Sequence, residues 1–332
     1  MTKIMPMNEY IYLVCITYNQ LSYIKEAITS ILNQDYPYLK IIISDDCSSD
    51  GTDEAIQRMI STYQGPHQIE FIRQTSNLGL IRNLWSACEK IEDGLVVLAA
   101  GDDVSHSNRV STIHQYWSRL GHPLAIGSSI YLINENGDEI KEVKFFDKLT
   151  KIEPRFSIGE EFTFRGASLA FDIQLLKLYE MPKNEKAVED IIISYRAALN
   201  GSSYFIPETL VRYRVVNGSM SHVNNRSVNN YLTSQLKLLT ARIESGKAIL
   251  EDIKRYQMKG KDSEIIEKNI IKSLNRINIE ISLLSFKFGN AILNSIRNNE
   301  TVFVAKKINK LILDIAWISK NRFYSKDRTT QT

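Results

Sequence analysis

Cysteine is scarce in this 332-residue chain, and long apolar runs and repeated segments are missing altogether. The three cysteines, Cys15, Cys47 and Cys88, are odd in number and scattered, with no CxxC or mixed His/Cys spacing. That excludes a disulfide framework and a zinc site, and fits reduced thiols used as small buried filler. No apolar stretch approaches the ~18 residues that span a bilayer, and Met1–Glu9 is short and polar, unlike a secretory leader. A cytoplasmic location is expected. The phosphate-cradling GxGxxG and P-loop motifs are missing, as are HExxH and GxSxG, so neither a dinucleotide fold nor these hydrolytic sites are supported.

What is present is the composition of a globular protein, 43% hydrophobic and 24% charged, enough for a sizeable core. The net charge of +3 hides an asymmetry. Residues 225–332 carry 20 Lys+Arg against 10 Asp+Glu, whereas residues 1–224 carry 21 against 28. Two stretches of opposite sign suggest two jobs.

Residues 1–120 alternate regularly. Tyr10–Ile16 and Leu95–Ala100 have the apolar character of buried strands, and Leu39–Ser44 and Gln68–Arg73 read as strands too. Between them, Gln20–Asn33, a stretch from about Asp53 and Leu80–Ile91 have helical spacing, the second with Ser49, Asp50 and Thr52 as cap oxygens. Such alternation implies crossover connections and a mostly parallel central sheet flanked by helices. Further on come a helix to about Leu120, a hairpin about Asn136–Gly137, a strand at Phe164–Phe171 and a helix over Glu185–Asn200 ending at Gly201. Two short strands follow, Ser203–Ile206 and Thr209–Val215, and from about Arg226 the pattern is helical, with an interruption at Gly260–Lys261.

Ligands of parallel sheets bind beyond the carboxyl ends of the strands. There the sequence places Thr17-Tyr18-Asn19, Asp45-Asp46 and Asp102-Asp103. One acidic pair after a strand is a turn; two pairs on one rim are costly unless a cation or hydrogen-bond donors offset them.

The ordered signals ITYNQ, IIISDDCSSDGT, SNLGLIRN, LAAGDD…NR, RGASLAF, VEDIIISYRA and YRVVNGSMS resemble the family-2 glycosyltransferases of GT-A fold, inverting enzymes that use nucleotide-diphospho-sugars. The resemblance covers about residues 10–222 and implies a GT-A-like α/β fold with an α-helical C-terminal appendage. Its implied domains are 1–224, with a nucleotide-binding half at about 8–120 and an acceptor half at about 121–224, and the basic helical region 225–332. It implies that Thr17, Tyr18 and Asn19 line the nucleotide pocket, Asp46 accepts a hydrogen bond from uracil, and Asp102 reaches the ribose. Asp103 would coordinate Mg²⁺ or Mn²⁺, Asp190 would be the general base, and Arg82 and Arg214 would hold phosphate or position a loop.

The chain departs from the family pattern in three places. Ala100 stands where many relatives have Asp, Ile16 replaces a frequent Pro, and Val216 occupies the place of a frequent His, with His222 six residues later. The Gln-x-x-Arg-Trp signature of processive synthases is absent, which implies one sugar per encounter. The partners implied are a UDP-sugar donor and a glycan or lipid-linked acceptor of a bacterial surface polysaccharide, without nucleic acid, for which no reading module is present. The basic helices of 225–332 suit either an anionic membrane surface, the cytoplasmic face of the inner membrane, or a homo-oligomer contact. Two other functions compete: a sugar-phosphate nucleotidyltransferase, and an inactive carbohydrate-binding or scaffold protein. Glu189 and Asp190 could be exposed helix charges, and Trp85 and Trp117 are expected in the core.

Overall fold

Ile11–Thr17 forms strand β1, and its alternating residues divide between two cores: Leu13 and Cys15 face one, Val14 and Ile16 the other. A strand buried on both faces must be apolar throughout, which is why the segment lacks a polar period. The structure is a computed structural model that describes residues 11–37, 39–154, 164–215, 228–256, 261–285, 307–308 and 310–311. After β1 come α1 (Leu21–Leu32), β2 (Leu39–Asp45), α2 (Thr52–Ser61), β3 (Gln68–Arg73), α3 (Leu80–Cys88) and β4 (Leu95–Ala100). β3, β2, β1 and β4 lie side by side in that order, all parallel. α1 and α2 bury Ile24, Ile28 and Ile56 against one face of this sheet. On the other face α3 buries Leu84 and Ala87. Cys15 and Cys88 are buried among them, while Cys47 is half-buried in a loop.

The sheet then changes character. β5 (Val104–Ser105) and α4 (Arg109–Arg119) lead to β6 (Ala125–Ile133) and β7 (Glu139–Val143), an antiparallel hairpin whose turn carries Gly137 at a φ of 89°, open to glycine at little strain. Next are β8 (Thr150–Lys151), a 3-10 turn over Gly166–Ser168, β9 (Leu169–Asp172), α5 (Gln174–Leu178), α6 (Glu189–Leu199) and β10 (Ser203–Arg214). β9 sits antiparallel between β4 and β6, and β10 runs parallel to β6. One mixed sheet of ten strands results, its parallel part concentrated in β1 to β4.

Three expectations change here. The strand expected over Phe164–Phe171 starts only at Leu169, because Gly166–Ser168 coil into the 3-10 turn before it. The segments read as separate strands around residue 206 are one strand, β10, whose register against β6 slips between Ile206 and Val211. Pro207 lacks the N–H a ladder requires, so the strand bulges instead of ending. The helix expected from Glu185 begins at Glu189, because Asn184 takes the Lys186 N–H on its side chain and the Ala187 N–H on its carbonyl, making a turn in place of the first helical residues.

The chain divides into two compact units, residues 1–156 with 162–214, and residues 157–161 with 215–332. In the second, α7 (Val228–Arg255) and α8 (Lys261–Leu284) pack on each other around Leu239, Ile279 and Leu283. No helix among the described residues is long and apolar enough to cross a membrane.

Candidate active site

The carboxyl ends of β2, β1 and β4 form one rim. Thr17 pairs with Asp45 in the ladder, the Asp46 N–H donates to the Thr17 carbonyl at 2.9 Å, and the Gly101 N–H donates to the Ile16 carbonyl at 3.1 Å. Gly101 is glycine because the chain leaving β4 runs against its neighbours: a Cβ there would come within 2.6 Å of Thr17 Oγ1 and would crowd Gln20 Oε1. The Thr17 hydroxyl is buried on this rim without a hydrogen-bond partner.

The loops beyond the rim are laced together. Asn19, at a φ of 50°, donates its N–H to Ser48 Oγ at 2.8 Å, and its Oδ1 accepts the Ser49 N–H at 2.9 Å. One oxygen of Asp50 accepts the N–H of Thr52, the other that of Leu21, so a single carboxylate serves the starts of α2 and α1. Between these fixed loops the Tyr18 ring is 45% exposed, free to meet a flat ligand.

Asp46 is buried, and both of its oxygens accept backbone N–H groups, from Leu78 at 2.7 Å and Gly79 at 2.9 Å. It therefore anchors the turn before α3, and each oxygen keeps a second lone-pair direction for a ligand. Arg82 lies exposed in the first turn of α3.

The pair after β4 has fewer donors. Asp103 is 6% exposed, and one of its oxygens accepts the Arg214 N–H at 2.7 Å. Burial, then the charge of Asp102, push its carboxyl well above the usual range, against the pull of the Arg214 N–H and the Arg109 and Arg214 charges. Asp102 is raised as well, by burial, although the Gln20 side chain donates to it. Beneath lies Arg109, fully buried, donating to the Leu98 carbonyl at 2.6 Å and Ser105 Oγ at 3.0 Å. Burial lowers the Arg109 guanidinium to about 10 and Asp103 pulls it back.

Arg214 spends its guanidinium on the protein. Nε donates to the Asp102 carbonyl at 2.8 Å, Nη1 to the carbonyls of Asn134 and Glu135 at 3.1 Å each, and Nη2 to Glu26. On α6, Asp190 is half-buried and its carbonyl accepts the Ser194 hydroxyl. Its neighbour Glu189 is buried against Gly166, where any Cβ would overlap the carboxylate. Burial, then Asp190, push Glu189 up to about 8. His222 and Val216 lie outside the described residues.

The structure thus brings Thr17, Tyr18, Asn19, Asp46, Asp102 and Asp103 onto one rim by strand register, with Arg214 behind the last two. No cluster of three His, Cys, Asp or Glu groups exists among the described residues. A hard divalent ion needs only one or two carboxylates when substrate phosphates complete its shell, so a carboxylate such as Asp103, which accepts one backbone N–H at one of its oxygens, fits as a donor. Sequence reasoning missed Gln20, Glu26, Arg109 and the burial of Glu189. Two of them carried a signal: Arg109 shares a helical stripe with Ile113 and Trp117, and Glu189 with Ile192 and Ile193, and a charge inside an apolar stripe is seldom solvated. Gln20 and Glu26 carried none.

Comparison with known proteins follows this geometry. The model of glycosyl transferase family 2 matches residues 12–184. The Bacillus subtilis protein named as teichuronic acid biosynthesis glycosyltransferase TuaG is 29% identical over 207 residues, 62% of this chain and 79% of its own. Among solved structures, TarS 1-349 of S. aureus, in complex with UDP-GlcNAc, superposes with a TM-score of 0.54 at 16% identity, over 88% of this chain and 90% of that one. The mannosyltransferase PcManGT of Pyrobaculum calidifontis, in complex with GDP-Man and Mn²⁺, gives 0.55 at 12% identity, over 97% and 89%.

Proposed function

Since this chain belongs to glycosyl transferase family 2, we propose that it transfers one sugar from a UDP-sugar to a glycan or lipid-linked acceptor with inversion, in the building of a bacterial surface polysaccharide. The observation that carries the reading is the adjacent Asp102 and Asp103 at the exit of β4, the second of them buried, on the same rim as Thr17 and Asp46. Family membership removes the nucleotidyltransferase alternative. The two solved neighbours hold a UDP-sugar and a GDP-sugar; the remaining lone pairs of Asp46 suit the ring N–H of either base, so the choice of uracil rests on the family resemblance.

In this reading the exposed ring of Tyr18 stacks on the base, Thr17 and Asn19 shape the pocket wall, Asp102 takes the ribose, and Arg82 approaches the phosphates from α3. Asp103 holds Mn²⁺ or Mg²⁺. The chemistry such an ion supplies is neutralisation of the charge that gathers on a departing diphosphate. Asp190, on the rigid start of α6, takes the proton of the acceptor hydroxyl as its oxygen bonds to the anomeric carbon and the bond to UDP breaks. Attack from the face opposite UDP turns an α-linked donor into a β-linked product. The basic excess of residues 225–332 supports contact with an anionic membrane surface that carries the acceptor.

UDP release from a panel of UDP-sugars with Mn²⁺ tests the assignment, using Asp103→Asn and Asp190→Asn. Activity in the wild type lost in both variants supports it. Robust turnover by either variant removes that residue from its role, and no turnover with any donor leaves the inactive scaffold. Binding to anionic vesicles that survives truncation after Ser227 ends the membrane reading.

A further inference from the structure

Arg214 is the last residue of β10 and its side chain is 1% exposed, yet it lies behind a site built from aspartates. An arginine has five N–H donors, and here four hydrogen bonds from the guanidinium end on the protein: at the Asp102 carbonyl, the Asn134 and Glu135 carbonyls, and Glu26. Its main-chain N–H holds the Asp103 carboxylate. One residue thus grips both members of the acidic pair, Asp102 by its backbone and Asp103 by its side chain. The grip is in turn held from α1. Tyr23 places its ring 4.9 Å from the guanidinium carbon, and Glu26, one helical turn on along the same face, accepts from Nη2. Glu26 also lies 3.8 Å from Arg212, which donates to the Gly137 carbonyl at 2.6 Å.

We propose that Glu26 and Arg214 form a strut that sets the Asp102–Asp103 loop for cation and diphosphate binding, and that the Arg214 guanidinium does not itself hold the donor's phosphates. The inference rests on the metal-dependent reading above and assigns positioning roles to both residues. Its physical basis is that partners which orient metal-binding groups typically change metal affinity by about 10–100-fold when removed. Glu26 is suited to the test because its side chain is 47% exposed and touches the aspartates only through Arg214.

The full chain is titrated with Mn²⁺ in the presence of UDP, free Mn²⁺ being counted by electron paramagnetic resonance, and UDP binding without metal is measured by calorimetry. Glu26→Gln is expected to weaken Mn²⁺ binding about tenfold, with metal-free UDP affinity unchanged. Against an Asp103→Asn background the same substitution should add nothing, since its route to the ion is already cut. Arg214→Lys should follow Glu26→Gln. Unchanged Mn²⁺ affinity in Glu26→Gln overturns the strut, as does an additive effect in the double variant. So does a loss of metal-free UDP affinity in Arg214→Lys, the mark of a phosphate ligand. If Glu26→Gln does not fold, Glu26→Asp replaces it, keeping the charge but shortening the reach. A wild type that binds no Mn²⁺ with UDP or GDP defeats the metal-dependent reading itself and the strut with it, a result distinct from a strut failure in a wild type that binds.

Discussion

Two acidic pairs leave β2 and β4, the strands on either side of β1, and they differ in how their charge is met. After β2, Asp45 accepts the Ser48 N–H at 2.8 Å and the Ser48 hydroxyl, while Asp46 accepts two backbone N–H groups from the turn before α3. After β4, Asp102 and Asp103 are both raised by burial, and Asp103 further by its neighbour. The first pair is satisfied by the fold. In the second, one N–H and the charges of Arg109 and Arg214 oppose the burial without cancelling it. Adjacent carboxylates at a strand exit are therefore one pattern with two physical outcomes, decided by which donors the surrounding loops supply.

Asp103→Asn should break the contrast most visibly. UDP release is expected to fall about a thousandfold, the scale of losing one preorganised electrostatic group. Metal-free thermal stability should hold or rise, because a repelled buried charge is gone and the new amide oxygen still accepts the Arg214 N–H. A clear drop in melting temperature would show that this pair too is structural. Asp46→Ala should do the reverse, costing about 2–3 kcal/mol in urea denaturation by orphaning two backbone N–H groups. A loss near zero would mean that the turn before α3 stands without its anchor.

Gly101→Ala sharpens the comparison at the shared rim. The added methyl meets Thr17 and Gln20, and overpacking of this kind costs about 1–3 kcal/mol. Chemical denaturation should detect it, and a neutral substitution would show that the Gln20 side chain swings away freely.

The slightest bearing on the comparison itself belongs to Glu189, a buried carboxyl outside both pairs, held up to about 8. Its folded state keeps a proton that the unfolded chain releases near the ordinary glutamate value. Its contribution is therefore complete below about pH 4 and is lost as pH rises toward 8, by no more than about 1.4 kcal/mol per pH unit. Glu189→Gln should flatten the decline in stability between pH 5 and 8. An unchanged slope would place the proton elsewhere.

The legibility of the chain follows its physics. β4 begins and ends where the apolar run Leu95–Ala100 begins and ends, because burial on both faces defines an interior strand, and the edge strand β3 follows the alternation of Gln68–Arg73. β10 is harder to read: local pattern gives two short strands, Ser203–Ile206 and Thr209–Val215, and only pairing with β6 carries one strand across the bulge at Pro207. Among site residues, Thr17, Asp46 and the 102–103 pair were legible from their places after strands. Asp50 was legible as a cap for α2, but its second bond, to the start of α1, depends on a loop that folds in from elsewhere. Arg109 and Glu189 stand as charges on apolar stripes, and the acceptors of Arg109, Ser105 and the Leu98 carbonyl, are near it in the chain, but that they meet its guanidinium in the interior depends on how β4 and α4 pack.

Local pattern was enough to establish the alternation of strands and helices, the two-sided burial of β1 and β4, and the rim on which the acidic residues stand, because periodicity and apolar run length act over a few residues. Which aspartate is held by two backbone amides, which by one amide beside two arginines, and that an arginine at the end of β10 is gripped by a glutamate on α1, were decided by tertiary structure. Hydrogen bonding and desolvation depend on neighbours that folding brings in from distant parts of the chain, as Glu26 and Arg214 are brought together across the sheet.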